Sequence, residues 1–388
     1  MKTLLTDAQA ARYAEFQAFA AESVAPFAAD WDRDQRIPLD AVRQLGAAGY
    51  LGSLVPKAHG GQGWDVVTFG LLNEALGRAD SAYTGIVTVQ AMVAMPLLKW
   101  GTPAQRDRWL GPLARGEIVG AIALTEPSGG SDLAAMQTQI RRSADGRQLL
   151  LSGEKKWVTS SQMAEIFLVF GQCDGQSVAC LVPRGTPGFT IEPIQDLLGF
   201  RAAGLAKLTF REVVLPAENL VGKPGFAVSH VAPEGLHFGR LSTACSALGL
   251  LRGCVEESAG YAAQRRVGGQ LLREVGMIQT LLARMGADCA AAELLCWSAC
   301  RAQDERRPEK FRQAFTAKYF ASQAAVRAAG DAVQILGAAG VHESSPVARY
   351  FRNCKIMEIV EGTSQIHERV LSQEIVQDAI SRQRNGSG

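Results

Sequence analysis

The chain has 388 residues, 47% of them hydrophobic, and its 40 Lys and Arg against 38 Asp and Glu leave a net charge of +2. That length supports two or three domains around a large buried core. The near-neutral balance, without a basic stripe interleaved with aromatics, excludes nucleic acid as the main partner.

The N-terminus carries no apolar segment of the kind a signal peptide needs. No run of 18 or more apolar residues suggests a membrane span. Eight cysteines are scattered, mostly through apolar helical segments, with no Cys-x-x-Cys or His-x-x-x-His spacing. The expectation is reduced core thiols in a cytoplasmic protein, and no metal site.

Residues 1–119 read as a helical domain. Ala8 to Phe27 is rich in Ala, Phe and Glu, and Pro38 opens a helix at a permitted position. Gly60-Gly-Gln-Gly63 is a turn, followed by apolar helices over Val66–Ala79 and Ile86–Trp100. Thr102-Pro-Ala-Gln105 opens a further helix, with Thr as cap and Pro in the first turn. The pattern changes at Gly120. Short apolar runs such as Ile166–Phe170 and Val178–Val182, punctuated by Gly, Pro, Asp and Asn, predict a β domain of five to eight strands over 120–222. The helical period returns over 223–380, through Arg240 to about Ala302, Phe311 to Gln334 and Ile366 to Arg382. Residues 381–388 are polar and read as a flexible tail.

No Gly-x-Gly-x-x-Gly follows a strand, and no P-loop or Gly-x-Ser-x-Gly elbow occurs. Three stretches carry chemistry instead. Leu124-Thr-Glu-Pro-Ser-Gly-Gly-Ser-Asp-Leu133 follows a predicted strand. It is an ordinary polar loop by composition, or a set of hydroxyls and amides that holds an anionic ligand. Lys155-Lys-Trp-Val-Thr-Ser160 sets an aromatic beside a hydroxyl, a pair that can pack on a flat ring, though a strand tryptophan commonly belongs to the core. Lys355–Ile366 runs an apolar segment into Glu361, turns at Gly362, and restarts a helix at Thr363 and Ser364. That places a carboxylate at a helix start, where amides and dipole favour negative charge.

Together these stretches resemble the acyl-CoA dehydrogenase family over nearly the whole chain. Further landmarks are Gly101–Gln105, Trp109–Leu113, Gly116–Pro127, Val213–Asn219 and Gln334–Gly337. The resemblance implies a multi-domain α+β fold: an N-terminal helical domain, a central β-barrel or sandwich domain, and a C-terminal four-helix-bundle domain. It implies a homotetramer or homodimer. It implies FAD, with Thr125, Ser131, Trp157 and Thr159 along the flavin and Thr363 and Gln365 at its pyrophosphate or adenosine half. Arg265, Gln334 and Gly337 match positions that reach the FAD of a neighbouring subunit. Glu361 matches the catalytic base, which takes the thioester α-proton while hydride leaves the β-carbon for flavin N5. Its own amide then binds the thioester carbonyl. Ser131, Arg240, Val360 and Gly362 match the substrate pocket. One branch of the family carries its base just before the arginine matched by Arg240; here that position is Gly239.

Gly268, Ala338, Asn353 and Val360 depart from the pattern of β-oxidation members. Gly130–Met136, Phe200–Gly204, His237–Arg240 and Lys355–Glu361 resemble a small branch that acts on acyl groups tethered to an acyl carrier protein, in pathways to hydroxymalonyl, methoxymalonyl or aminomalonyl units for polyketides and antibiotics. That implies oxidation of a three-carbon carrier-bound aldehyde, as its hydrate, to the malonyl acid. The alternatives are a short or branched acyl-CoA α,β-dehydrogenase and a catalytically inactive flavin-binding homologue. An electron-transfer partner or oxygen is the expected acceptor. A carrier protein presents an acidic helix, so Arg141, Arg142, Lys155, Lys156 and Arg201 are candidates for a basic rim, and His237 is a candidate neighbour of the site through Arg240.

Overall fold

The computed structural model describes residues 5–385. Its N-terminal third is helical: α1 (Asp7–Ser23), α2 (Ala28–Asp34), α3 (Leu39–Ala47), α4 (Val66–Ala79), α5 (Ser81–Trp100) and α6 (Pro103–Arg115). Eight strands follow: β1 (Gly120–Ala123), β2 (Gln139–Arg142), β3 (Gln148–Val158), β4 (Ile166–Cys173), β5 (Gln176–Pro183), β6 (Phe189–Pro193), β7 (Ala206–Pro216) and β8 (Leu220–Val221). The C-terminal part holds α7 (Ala232–Gln264), a hairpin of β9 (Arg266–Val267) and β10 (Gln270–Leu271), α8 (Gly276–Asp304), α9 (Lys310–Leu336), α10 (Ala338–Val341), α11 (Pro346–Met357) and α12 (Ser364–Asn385).

Local chemistry sets the helix starts. Thr102 heads α6 with a full capping box: its hydroxyl accepts from Gln105 N at 3.2 Å, and Gln105 Oε1 accepts from Thr102 N at 2.9 Å. Thr6 and Gln9 form the same box at α1. α5 is long and apolar enough to cross a membrane, but 83% of its apolar window is buried in the fold, as in a core helix. α12 runs through Asn385, so helix replaces the expected flexible tail over 381–385, and 386–388 lie outside the described residues.

The chain gathers into two compact units. One holds residues 30–65 and 82–239, and the other residues 1–29, 66–81 and 240–388. In the first, the sheet order is β6-β7-β3-β2-β4-β5-β8, with β1 parallel to β4. Its two halves join through a single pair, Gln139 with Gln172, which gives the sheet a sandwich-like division. β3 and β7 are its longest strands, and a register shift between Lys155 and Val158 places two residues of β3 against one of β7.

In the second unit, α9 buries an alanine face that includes Ala314, Ala317, Ala321, Ala324 and Ala328. Small side chains there let neighbouring helices approach closely. One polar cluster is sealed in this unit. Glu74 of α4, 1% exposed, takes Arg252 Nε of α7 at 2.7 Å, and Arg252 also reaches Glu293 of α8 at 3.3 Å. Burial pushes the Glu74 carboxyl up, and Arg252 opposes that. Arg252→Met should therefore lower stability by about 2 to 3 kcal/mol, since it strands a buried acceptor. Urea unfolding at pH 7 is the check, and an unchanged midpoint would contradict it.

The helix expected over Arg240 to Ala302 is broken. Gly268 and Gly269 both have positive φ, +60° and +87°, and form the two-residue turn between β9 and β10. Two successive left-handed residues are what a primed hairpin turn demands. The glycine at 268 is thus a requirement of this turn.

Candidate active site

The Glu361 turn is built from two helix ends. α11 closes as Ile359 N and Val360 N both donate to Ile356 O. The chain then reverses with Glu361 at φ +58° and Gly362 at φ +100°, and Ser364 N closes the loop onto Glu358 O at 3.0 Å. α12 starts there, with Thr363 O accepting from Ile366 N and His367 N. A left-handed glutamate is strained, costing on the order of 1 to 3 kcal/mol, and persists only where the surroundings fix it. Its Oε2 is buried and accepts no hydrogen bond. Burial pushes the carboxyl up to about 7, against the pull of Arg240 and Lys318.

Three neighbours face this turn. Arg240, from α7, stacks its guanidinium 4.2 Å from the centre of the Phe315 ring, and its Nε is buried without a partner. Lys318, from α9, is fully buried, and its ammonium donates to Gly362 O at 2.7 Å. His367, from α12, is also fully buried, with Nε2 3.3 Å from Glu361 O and Nδ1 3.1 Å from Phe315 O. Burial pulls Lys318 down to about 7 and His367 down to about 4. Sequence reading found Glu361, Gly362 and Arg240 but missed Lys318, His367 and Phe315. A signal for Lys318 existed: with Ala314, Ala317 and Ala321 it follows the i, i+3, i+4, i+7 period of the buried α9 face.

Val360, Glu361, Gly362, Thr363 and Gln365 therefore share one turn. Arg265, Gln334 and Gly337 do not join them. Gln334 lies about 24 Å along α9 from Lys318, and Gln264, the last residue of α7 before Arg265, about 36 Å along that helix from Arg240, at 1.5 Å per residue. All three are exposed, Arg265 at the base of the β9–β10 hairpin and Gly337 (φ +60°) at the end of α9.

Thr125, Ser131, Trp157 and Thr159 form a second set within the other unit. The β3 bulge turns Trp157 outward: it has φ +62° and is 47% exposed, with Lys156 4.6 Å from its ring centre. The core placement usual for a strand tryptophan fails here. Lys156 N donates to Thr125 O, which ties the Thr125 loop to the Trp157 strand. Gly130 packs so closely on Thr125 that a Cβ would lie 2.8 Å from its Oγ1. An outward indole, flanking threonine hydroxyls and a loop closed by glycine suit a flat ring with a polar edge, and so fit a flavin.

Two rim candidates change standing. Lys155 is fully buried, and its ammonium donates to Leu124 O at 3.0 Å and Glu126 Oε1 at 2.9 Å. Arg201 lies 3.9 Å from Asp32. Arg141 and Arg142 stay exposed on β2. His237 is buried with its ring edge-on to Phe238.

Comparison with known proteins fits this geometry. Residues 6–117, 121–213 and 229–376 match the N-terminal, middle and C-terminal domains of acyl-CoA dehydrogenase. The mitochondrial short-chain specific acyl-CoA dehydrogenase of Mus musculus is 35% identical over 91% of this chain and 86% of its own length. Butyryl-CoA dehydrogenase from Megasphaera elsdenii superposes with a TM-score of 0.92 at 31% identity, covering 96% of this chain and 99% of that one. FkbI, described for biosynthesis of the methoxymalonyl extender unit of the polyketide Fk520, superposes with a TM-score of 0.85 at 29% identity, covering 94% and 99%. The chain belongs to the acyl-CoA dehydrogenase family of FAD-dependent oxidoreductases.

Proposed function

We propose that this chain dehydrogenates a short acyl group held as a thioester, with Glu361 as the base, and that the acyl group is a three-carbon unit on an acyl carrier protein. The observation that carries the base assignment is the buried, unpartnered Oε2 on a left-handed turn at a helix start. When bound, FAD supplies the acceptor for the β-carbon hydride. Thr125, Trp157 and Thr159 hold its ring, and Thr363 and Gln365 its phosphate half. Arg265, Gln334 and Gly337, exposed and remote from the turn, serve the FAD of a second copy of the chain. Glu361 removes the α-proton of an acyl thioester, or a hydroxyl proton of an aldehyde hydrate. Its own amide steadies the carbonyl oxygen as charge develops there. An electron-transferring protein or oxygen takes the electrons onward.

The carrier-protein substrate is supported by the segments around Gly130–Met136 and Lys355–Glu361 and by the likeness to FkbI. The exposed pair Arg141 and Arg142 suits an acidic partner. A short acyl-CoA is the second reading, supported by the mouse short-chain enzyme and the Megasphaera butyryl-CoA enzyme.

Anaerobic bleaching of the flavin band separates the two. Hydroxylated, aminated and aldehydic three-carbon units on a carrier protein form one panel, and short acyl-CoAs the other. Bleaching confined to the carrier panel is expected. Fast bleaching by butyryl-CoA or isobutyryl-CoA would replace the carrier assignment with the acyl-CoA one.

A further inference from the structure

A strained glutamate at φ +58° needs an external hold, and its turn has two. Lys318 Nζ takes Gly362 O at 2.7 Å, and His367 Nε2 lies 3.3 Å from Glu361 O. The two carbonyls are consecutive: that of the residue whose side chain does the chemistry, and that of the glycine after it. A neutral imidazole has one N–H to give, and His367 faces two carbonyls, so it bonds only one of them at a time. Lys318 Nζ serves one carbonyl and is the constant donor. It is also fully buried on the alanine face of α9, where an unpaired cation costs several kcal/mol. A methionine of similar length would fill that space at no such cost. Among the described residues, the turn is what takes a hydrogen bond from this cation.

We propose that Lys318 is a positioning residue for the base: it clamps the Gly362 carbonyl and so fixes the left-handed turn that carries Glu361. This rests on Glu361 being the base. The charged groups acting on that carboxylate are Arg240 from α7 and Lys318 from α9; Glu358 in the preceding turn acts on Lys318, and His367 from α12 reaches the Glu361 backbone carbonyl. Arg240 and Lys318 both act in the same sense on Glu361. Arg240 is stacked on Phe315, and no contact from it reaches the turn's backbone carbonyls among those described. Lys318 combines both roles.

The test uses the full-length FAD-loaded protein in four forms: wild type, Lys318→Met, Lys318→Gln and Glu361→Gln. Glutamine keeps a donor for Gly362 O and drops the charge; methionine drops both. The readouts are kcat and KM across pH, and the infrared carboxyl band that Glu361→Gln lacks. For Lys318→Met, kcat should fall about 10- to 100-fold with KM little changed, as expected when a reacting group is misplaced by a fraction of an ångström. Lys318→Gln should regain part of kcat. In both, the acid limb and the Glu361 carboxyl band should move up by about one pH unit, because a nearby positive charge has gone.

A merely structural lysine would alter melting and flavin content without moving that titration. Unchanged kcat and titration in Lys318→Met would overturn the proposal, as would failure of both lysine variants to fold. If Glu361→Gln stays active, the base assignment fails, and the infrared shift still judges the clamp on its own.

Discussion

Glu361→Gln will lower the rate of flavin reduction by about four orders of magnitude, the upper range for loss of a positioned general base. Glutamine has nearly the same shape and leaves the left-handed turn and its two carbonyl contacts available, so FAD content and fold should survive. The wild-type profile should carry a matching signature. The base works as the carboxylate, and burial holds its proton on up to about pH 7. The rate should therefore fall with decreasing pH through about 7, with the slope of one proton. Stability runs the other way. A carboxyl whose folded value is raised favours folding most below its unfolded value and loses that contribution as pH rises through about 7. The neutral glutamine variant should then melt no lower than wild type at pH 8. Stopped-flow reduction and melting curves measure both. A variant that keeps a tenth of the rate would remove Glu361 as the base.

The second large effect lies in the other unit. Lys155→Met should cost about 3 to 5 kcal/mol and strip flavin from the protein, because it breaks a buried ion pair that anchors the Thr125 loop. Glu126 is 5% exposed and takes four hydrogen bonds: from Lys155 Nζ, Thr138 N, Thr138 Oγ1 and Gln137 N. Burial pushes its carboxyl up, yet the bonds from Thr138, Gln137 and Lys155 outweigh that and hold it below the usual range. Lys155 also takes Leu124 O, so one side chain pins the loop's start while Glu126 pins its return at Gln137 and Thr138. With the lysine gone, Thr125 loses its fixed place beside the Trp157 strand. Denaturant midpoints and the flavin-to-protein absorbance ratio are the readouts. A Lys155→Met protein with an unchanged midpoint and full flavin would refute the anchor.

Much of this was legible in the chain. Period and caps marked α4 to the residue and the start of α6 at Thr102, because both are decided within a few positions of the sequence. Alternating apolar runs marked the β domain, and the Glu361-Gly362-Thr363 spacing marked a carboxylate before a helix. The hairpin at 266–271 was not visible, because its strands are two residues each and too short for any period to register. The outward turn of Trp157 was not visible either, because the bulge that produces it depends on pairing with β7, about 50 residues later.

The division between what the sequence determined and what the tertiary structure decided falls at the two buried lysines. By type, Lys155 and Lys318 are surface residues, and sequence rules place them in solvent. Each is buried because a partner arrives from elsewhere: Glu126 from 29 positions before Lys155, and the Gly362 carbonyl from 44 positions after Lys318. Sequence alone thus determined the order of helical and β segments and the family, and singled out Glu361 as the candidate base. Only the packed chain decided which cations hold the loop and the turn, since a charge can leave water only where long-range contacts replace its hydration.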